Sequence, residues 1–477
     1  MKGPVEIMKD NIANGVDDKK QPDKITRFPG KTWPQVCAIF TASIAFMAAG
    51  TLFTWPSPAI PKLLLPPYNI TIDQASYLTV IPPLAMIVGT PLFCILLDKI
   101  GRKKNLIIMG CIHIVAWLLI AFANNIYIFY LSRVVTGFGD ACGFATLPAY
   151  IAESATPVVR GLYGNMMMII MFFGQFLVNC IGYYCPIRTT ALIMISIPVL
   201  FLIIFHFMPE TPYYYIMKND EENARISLQK LRRIKDVEME LKQITADVQR
   251  QMSESSNYAD LWKIKSNRMA LFVANISRII QQFGGISALV VYTQFIFEQA
   301  GGDLSSGASA MIFTGMLATA NIFANVISDK LGRKRSMVVS CFFCGIALLS
   351  ETIFFYLQDN TDLDVSRAGW FPVVGLAVYV LSFVCGLGVV PTLLLGELFS
   401  TGIRSKAAMV TNIVFAVTLS GLNKLFQYLL TSFGLWIPFL FFTICLFIGS
   451  IASFFIIPDT KGKTLEEIQQ MLKGNRK

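Results

Sequence analysis

Long apolar runs separated by short polar loops dominate this 477-residue chain. The runs fall at 36–60, 75–98, 105–124, 126–151, 161–184 and 190–208, then at 270–299, 305–328, 336–357, 370–396, 405–430 and 435–457. A helix needs about 20 residues to cross roughly 30 Å of hydrocarbon, so each run is long enough to span. The runs are continuous and do not alternate over ten residues, which argues against a β-barrel. One long polar stretch, 209–268, divides them into two sets of six. Within it, Arg225 to Gln251 combines helical periodicity with dense mixed charge. That predicts short amphipathic helices on a membrane surface or a solvated linker, with Leu261 and Trp262 as an interfacial anchor at its end. The pattern predicts an all-α membrane protein of twelve transmembrane helices in two pseudo-symmetric bundles, 36–208 and 269–457, with polar tails 1–35 and 458–477.

Composition supports that reading. Charged residues make up 15% of the chain and hydrophobic ones 54%, whereas a soluble domain carries about 25% charged residues. The net charge of +10 does not point to nucleic acid, because the cations cluster in short loops beside apolar runs and no basic–aromatic stripe accompanies them. Lys99, Arg102, Lys103 and Lys104 follow run 2, and Lys330, Arg333, Lys334 and Arg335 follow run 8. The opposite loops hold few cations (Lys62, Arg188, Arg367), so both termini are expected in the cytosol. The sequon Asn69-Ile70-Thr71 then falls outside, as a glycosylation acceptor should, while Asn275-Ile276-Ser277 falls inside a run. The polar first thirty residues read as a cytosolic tail with no cleavable leader. They contain no acidic dileucine signal, which favours the plasma membrane over vesicles. Ten scattered cysteines form no disulfide framework, although Cys180 and Cys185 are close enough in sequence to pair near the outer face, and no Cys/His spacing suits a metal. No cofactor, nucleotide motif, nucleophile–base set or obligate protein partner is implied. The expected partners are a small solute and the lipid bilayer.

A short motif occurs twice. Asp98-Lys99-Ile100-Gly101-Arg102-Lys103-Lys104 returns as Asp329-Lys330-Leu331-Gly332-Arg333-Lys334-Arg335, 231 residues later (329 − 98). Asp98 ends a helix, where an anion opposes the helix dipole and needs a cation; Arg102 and Arg160 are candidate partners. Glu153 precedes Arg160 by seven residues, and Glu397 precedes Arg404 by seven. Repeated acids and arginines at one membrane face predict a network of charge-assisted hydrogen bonds. The alternative is that these charges only set topology and snorkel to headgroups. Duplicated halves are a transporter architecture.

Further motifs occur in order: Pro148-Ala149-Tyr150-Ile151-Ala152-Glu153 with Arg160-Gly161, Pro209-Glu210-Thr211-Pro212, Gln281-Gln282-Phe283-Gly284-Gly285-Ile286, Glu397-Leu398-Phe399, and Pro458-Asp459-Thr460-Lys461-Gly462. With the repeated motif, these make the chain resemble the sugar porters of the major facilitator superfamily over nearly its whole length. The stretch Trp55-Pro56-Ser57-Pro58-Ala59-Ile60-Pro61-Lys62 is most similar to the insect facilitated trehalose and hexose transporters. The resemblance implies a facilitator working by alternating access. It implies that Asp98, Arg102, Glu153, Arg160, Glu210, Asp329, Arg333, Glu397 and Arg404 shut the cytosolic mouth when the protein faces outward.

It also implies sugar contacts from Gln281, Gln282, Ser287 and Thr392, with Tyr292 at an outer gate. Glutamine offers both donor and acceptor to a hydroxyl; the competing role for these amides is to hold helices together. Departures from the family pattern fall at Met168, Ser287, Leu387, Val389, Thr392 and Phe415, which leaves open a solute less polar than a sugar. Proton-driven members carry an Asp in the first span, and 36–60 holds no acid. A uniporter of hexose or trehalose is therefore expected, with a proton symporter or a non-transporting sensor as alternatives. His113 and His206 read as hydrogen-bonded core or interface residues. Arg133 and Lys424 read as snorkelling outward or lining the cavity.

Overall fold

In the computed structural model, the described residues are 30–253, 258–301, 304–362, 368–461, 463 and 465–473. Every predicted pass is helical. Among the described residues nine helices are long and apolar enough to cross a bilayer. The other three passes are spans 4, 7 and 10. Span 4 is Ile126–Ser154, which carries Arg133 and Asp140. Span 7 comes in three pieces, Lys265–Phe283, Ile286–Val291 and Thr293–Ala300. Span 10 comes in two, Phe371–Val384 and Val390–Leu398. The apolar pattern read 7 and 10 as unbroken; the breaks sit at Gly284-Gly285, Tyr292 and Cys385–Val389. Broken spans expose backbone carbonyls, which is tolerated only where they are buried in protein or line a cavity.

Span 1 is Trp33–Thr54 continued by Pro56–Leu63; spans 2 and 3 are Ile72–Ile100 and Arg102–Ala121. Span 5 is Pro157–Tyr163 and Met166–Tyr184, and span 6 is Ile187–Met194 and Ser196–Phe205. Spans 8, 9, 11 and 12 are Ser306–Leu331, Arg333–Asn360, Thr401–Phe433 and Trp436–Ile456. Side-chain caps start spans 2, 4 and 8. Thr71 and Gln74 form a capping box, Asn125 accepts from Ile128 N–H, and Ser305 accepts from Ala308 N–H.

Two cores result. One joins residues of spans 1–6, including Trp55, Trp117, Phe129 and Phe201. The other joins residues of spans 7–12, including Phe355, Tyr379, Phe426 and Phe439. The polar stretch folds as Pro212–Met217, Glu221–Arg232, Glu238–Ser253 and Tyr258–Lys263, with a small core of its own. Arg232 pins it to the first half by pairing with Glu240 at 2.7 Å and donating to the Ser154 carbonyl at 3.0 Å. Leu261 is buried in the second core while Trp262 is exposed.

The predicted tail 1–35 lies outside the described residues up to residue 29, as do Arg367, Gly462 and the side chain of Asp329.

Candidate functional site

At the face carrying the two basic motifs, each half builds the same cluster. In the first half, Arg102 Nε and Nη2 donate to Glu153 Oε1 at 3.0 and 2.9 Å, and Thr211 Oγ1 donates to Glu153 Oε2 at 2.6 Å. In the second, Arg333 Nε and Nη2 donate to Glu397 Oε1 at 3.0 and 2.7 Å, and Thr460 Oγ1 donates to Glu397 Oε2 at 2.6 Å. The threonines come from Pro209-Glu210-Thr211 and Pro458-Asp459-Thr460, so three separate motifs converge on one carboxylate in each half. Arg102 also donates to the Leu97 carbonyl, and Arg333 to the Ser328 carbonyl, both at 3.3 Å. The first bond satisfies a carbonyl left open at a helix C-terminus, and the second adds to the Gly332 N–H that the Ser328 carbonyl already accepts at 3.0 Å.

Glu210 caps the start of span 3 from across the bundle, accepting from the backbone N–H of Arg102 at 3.1 Å and of Lys103 at 2.9 Å. An anion at a helix N-terminus is the favourable placement. Burial pushes its carboxyl above the ordinary range, against the Thr211 and Lys103 N–H groups and Arg102, which pull it down. Gly101 makes the arrangement possible. Its φ is +96°, and a Cβ there would run into the Glu210 carboxylate. Gly332 repeats it at φ +82°, with Asp459 Oδ1 3.3 Å from where a Cβ would sit.

The expected cross-links are not all formed. Asp98 is largely exposed and meets Arg102 only at 3.7 Å. Arg160 does not pair with it: Arg160 is exposed and donates to the Ala152 carbonyl at 3.4 Å. Arg404 donates to the Phe399 carbonyl at 3.2 Å. Neither arginine has a carboxylate partner among the described residues, and each acid–arginine cluster lies within its own half.

The opposite, far face is sewn shut between halves. Lys424 Nζ pairs with Asp73 at 2.6 Å, donates to Ser76 Oγ at 3.0 Å and lies over the Tyr77 ring. Ser420 and Asn423 donate to the Val80 and Thr79 carbonyls. The Tyr292 hydroxyl lies 3.4 Å from Thr79 Oγ1. Ser57 Oγ and Gln294 Nε2, from opposite halves, both donate to Asn179 Oδ1, at 2.9 and 3.2 Å.

Between the two faces lies a cavity of about 350 Å³. Its polar wall comes from both halves: Asp140, Asn165 and Gln175 on one side, Arg278, Gln281, Gln282, Ser287, Asn321 and Thr392 on the other. The lining runs down to Arg160, Gly161 and Gly164 at the basic face. The cavity therefore opens toward the basic motifs and is closed at the far seam.

The family model for "Sugar (and other) transporter" matches residues 62–472. The chain belongs to the sugar transporter family. It is 33% identical over 461 residues to the facilitated trehalose transporter Tret1 of Polypedilum vanderplanki, covering 94% of this chain and 90% of that protein. It is 32% identical over 455 residues to the protein of the same name from Aedes aegypti, covering 93% of this chain but 55% of that longer protein. Its fold matches the inward open conformation of the xylose transporter XylE from E. coli, with a TM-score of 0.76, 19% identity, and coverage of 92% of this chain and 99% of that one. This is a multi-pass membrane transporter with the twelve-helix major facilitator fold.

The solute-site residues expected of this transporter divide in two: Gln281, Gln282, Ser287 and Thr392 lie in the cavity wall. Tyr292, expected at an outer gate, is buried in the far seam. Gln281 also works as structure, donating to the Leu387 carbonyl at 2.6 Å across the span 10 break. Gln282 Oε1 accepts from Ser287 Oγ at 2.6 Å. The departures Met168, Val389 and Phe415 line the cavity too.

Arg133 corrects the sequence reading. It neither snorkels nor lines the cavity; it is buried, donating to the Leu78 and Leu52 carbonyls at 2.8 Å each with its guanidinium 5.8 Å from the Trp55 ring centre. Pro56 and Pro82, four residues after Leu52 and Leu78, supply no N–H to those carbonyls, so both are open to accept from the buried guanidinium. Lys424 does reach outward, but to a specific acid. His206 is exposed rather than core; its backbone carbonyl accepts from Lys103 Nζ at 2.6 Å, and its ring makes no hydrogen bond among the described residues. His113 is core; neither ring nitrogen makes a hydrogen bond among the described residues, and Nε2 lies 3.6 Å from Asp140 Oδ1. Cys180 and Cys185 are free thiols.

Sequence reasoning missed two charged wall residues, Asp140 and Arg278. The available signal was a charge in the middle of an apolar run.

Proposed function

We propose that this chain is a uniporter that moves a hexose or trehalose across the plasma membrane by alternating access. The halves, 36–208 and 269–457, rock about the midplane cavity. The observation that carries the reading is that cavity: polar groups from both halves surround it, one face is bonded shut and the other is open. The relatives' printed names agree on facilitated trehalose transport. Counterflow of labelled glucose or trehalose in vesicles of purified protein tests it; a sensor gives none. Asp140 in the wall favours one rival, a proton symporter, whose uptake would vanish when the pH gradient is collapsed and a uniporter's would not.

The basic face is the cytosolic one, by the cation bias of its loops, so both termini are cytosolic and the described state faces inward. Asn69, exposed in the far loop, is then a glycan acceptor, and Asn69→Gln would remove a glycosidase-sensitive shift on a gel. Arg160 and Arg404 are the inner-mouth arginines that have no carboxylate partner among the described residues. Closure brings them to carboxylates of the opposite half, while the Arg102–Glu153 and Arg333–Glu397 clusters travel as rigid units. Exposed pairs contribute only about 0–1 kcal/mol each, enough to bias two states a few kcal/mol apart.

A further inference from the structure

Arg278 stands about 20 Å along its helix from Lys265, at 1.5 Å per residue over thirteen residues. That depth is beyond the reach of a snorkelling side chain. Its guanidinium lies in the cavity wall, 5.5 Å from the Phe415 ring centre, and Nη1 donates to Gln281 Oε1 at 3.0 Å. Nε is buried without an acceptor, and Nη2 makes no hydrogen bond among the described residues. That pair of nitrogens is one edge of the guanidinium fork, which grips a carboxylate with two parallel bonds. No carboxylate pairs with Arg278 among the described residues. The charged groups lining the cavity are Arg160, Arg278 and Asp140. Asp140 faces His113 at 3.6 Å, with Arg133 two turns earlier on its own helix. A cation inside a membrane core is costly unless a counter-charge arrives. A neutral sugar hydroxyl fills a hydrogen bond but leaves that charge uncompensated.

We infer that Arg278 selects a solute bearing an anionic group, a carboxylated sugar of monosaccharide size such as a uronic acid. This rests on the reading of the cavity as the solute site and replaces the neutral hexose or trehalose of that reading with an anionic sugar. The carboxylate occupies the Nε/Nη2 edge, and Gln282, Ser287 and Thr392 address the hydroxyls.

The test is binding to full-length protein in detergent by calorimetry, with D-glucuronate and D-glucose at matched ionic strength. Wild type is expected to bind glucuronate at least roughly tenfold tighter than glucose, the scale of one charge-assisted contact. Arg278→Gln erases that preference, and Arg278→Lys keeps part of it. Equal affinities in wild type, no binding of either, or a preference that survives Arg278→Gln overturns the proposal. The wild-type ratio decides even where a variant fails to fold. Counterflow of glucose in vesicles is read separately, so loss of the transport reading and loss of the charge selectivity give different results.

Discussion

At the residue scale, the same amino acid does different work according to what surrounds it. Glu153 and Glu397 are each held by an arginine and a threonine, with Arg102 almost wholly buried beside Glu153. Removing one partner of a buried pair leaves the other charge uncompensated, at about 3–5 kcal/mol in a dry site. Glu153→Ala is therefore expected to lower the thermal midpoint of the purified protein markedly. Arg160→Ala, whose guanidinium is exposed, should leave the midpoint within a degree or two and slow uptake instead. If both variants melt alike, the division between structural cluster and mobile donor is wrong. Gly101→Ala forces a Cβ into the Glu210 carboxylate at φ +96°. Left-handed strain for a non-glycine costs about 1–3 kcal/mol, so reduced stability and surface expression are expected, and a wild-type melting curve would contradict it.

At the element scale, the breaks in spans 7 and 10 matter most. Gln281 bridges them, giving its amide to the Leu387 carbonyl and taking Arg278 Nη1 on its oxygen. Gln281→Ala loses both bonds, so it should weaken solute binding and loosen span 10 together; a variant with altered affinity but unchanged stability would assign Gln281 to the solute alone. The far seam joins span 2 to span 11 through Asp73 and Lys424. Lys424→Ala removes a half-exposed ion pair of under about 1 kcal/mol, a shift of up to roughly fivefold between facings. A cysteine placed at Thr79 should then label faster from the far face. Unchanged labelling would mean that the backbone-directed bonds of Ser420 and Asn423 hold the seam alone.

At the scale of the whole molecule, the described state is open at one mouth only, and rocking must exchange which mouth is sealed. Thiol reagents should reach a cysteine at Gly164 from the basic face, and saturating transported solute should alter that rate. A rate indifferent to every transported solute would argue against alternating access. The twelve passes, their division into halves and the motif clusters were legible in the chain, because apolar length and loop charge are local properties that a bilayer reads directly. Arg102 with Glu153 was legible as a network but not as a contact confined to one half. Arg133 was misread because its acceptors, the Leu52 and Leu78 carbonyls, belong to two other helices; their only mark in the sequence is a proline four residues on, Pro56 and Pro82, which leaves each carbonyl without its helical N–H donor.

The sequence by itself determined the number of spans, their pairing into two sixes, and the residue types gathered at the basic face. The hydrophobic effect and the scarcity of charge leave a chain of this pattern few other places to lie. Only the tertiary structure decided where spans 7 and 10 break, which carbonyls receive the buried arginine, which face is sealed, and that Asp140 and Arg278 share one cavity wall. Those outcomes depend on contacts between helices distant in sequence, and the energy of a buried charge is set by its neighbours and not by its own position in the chain.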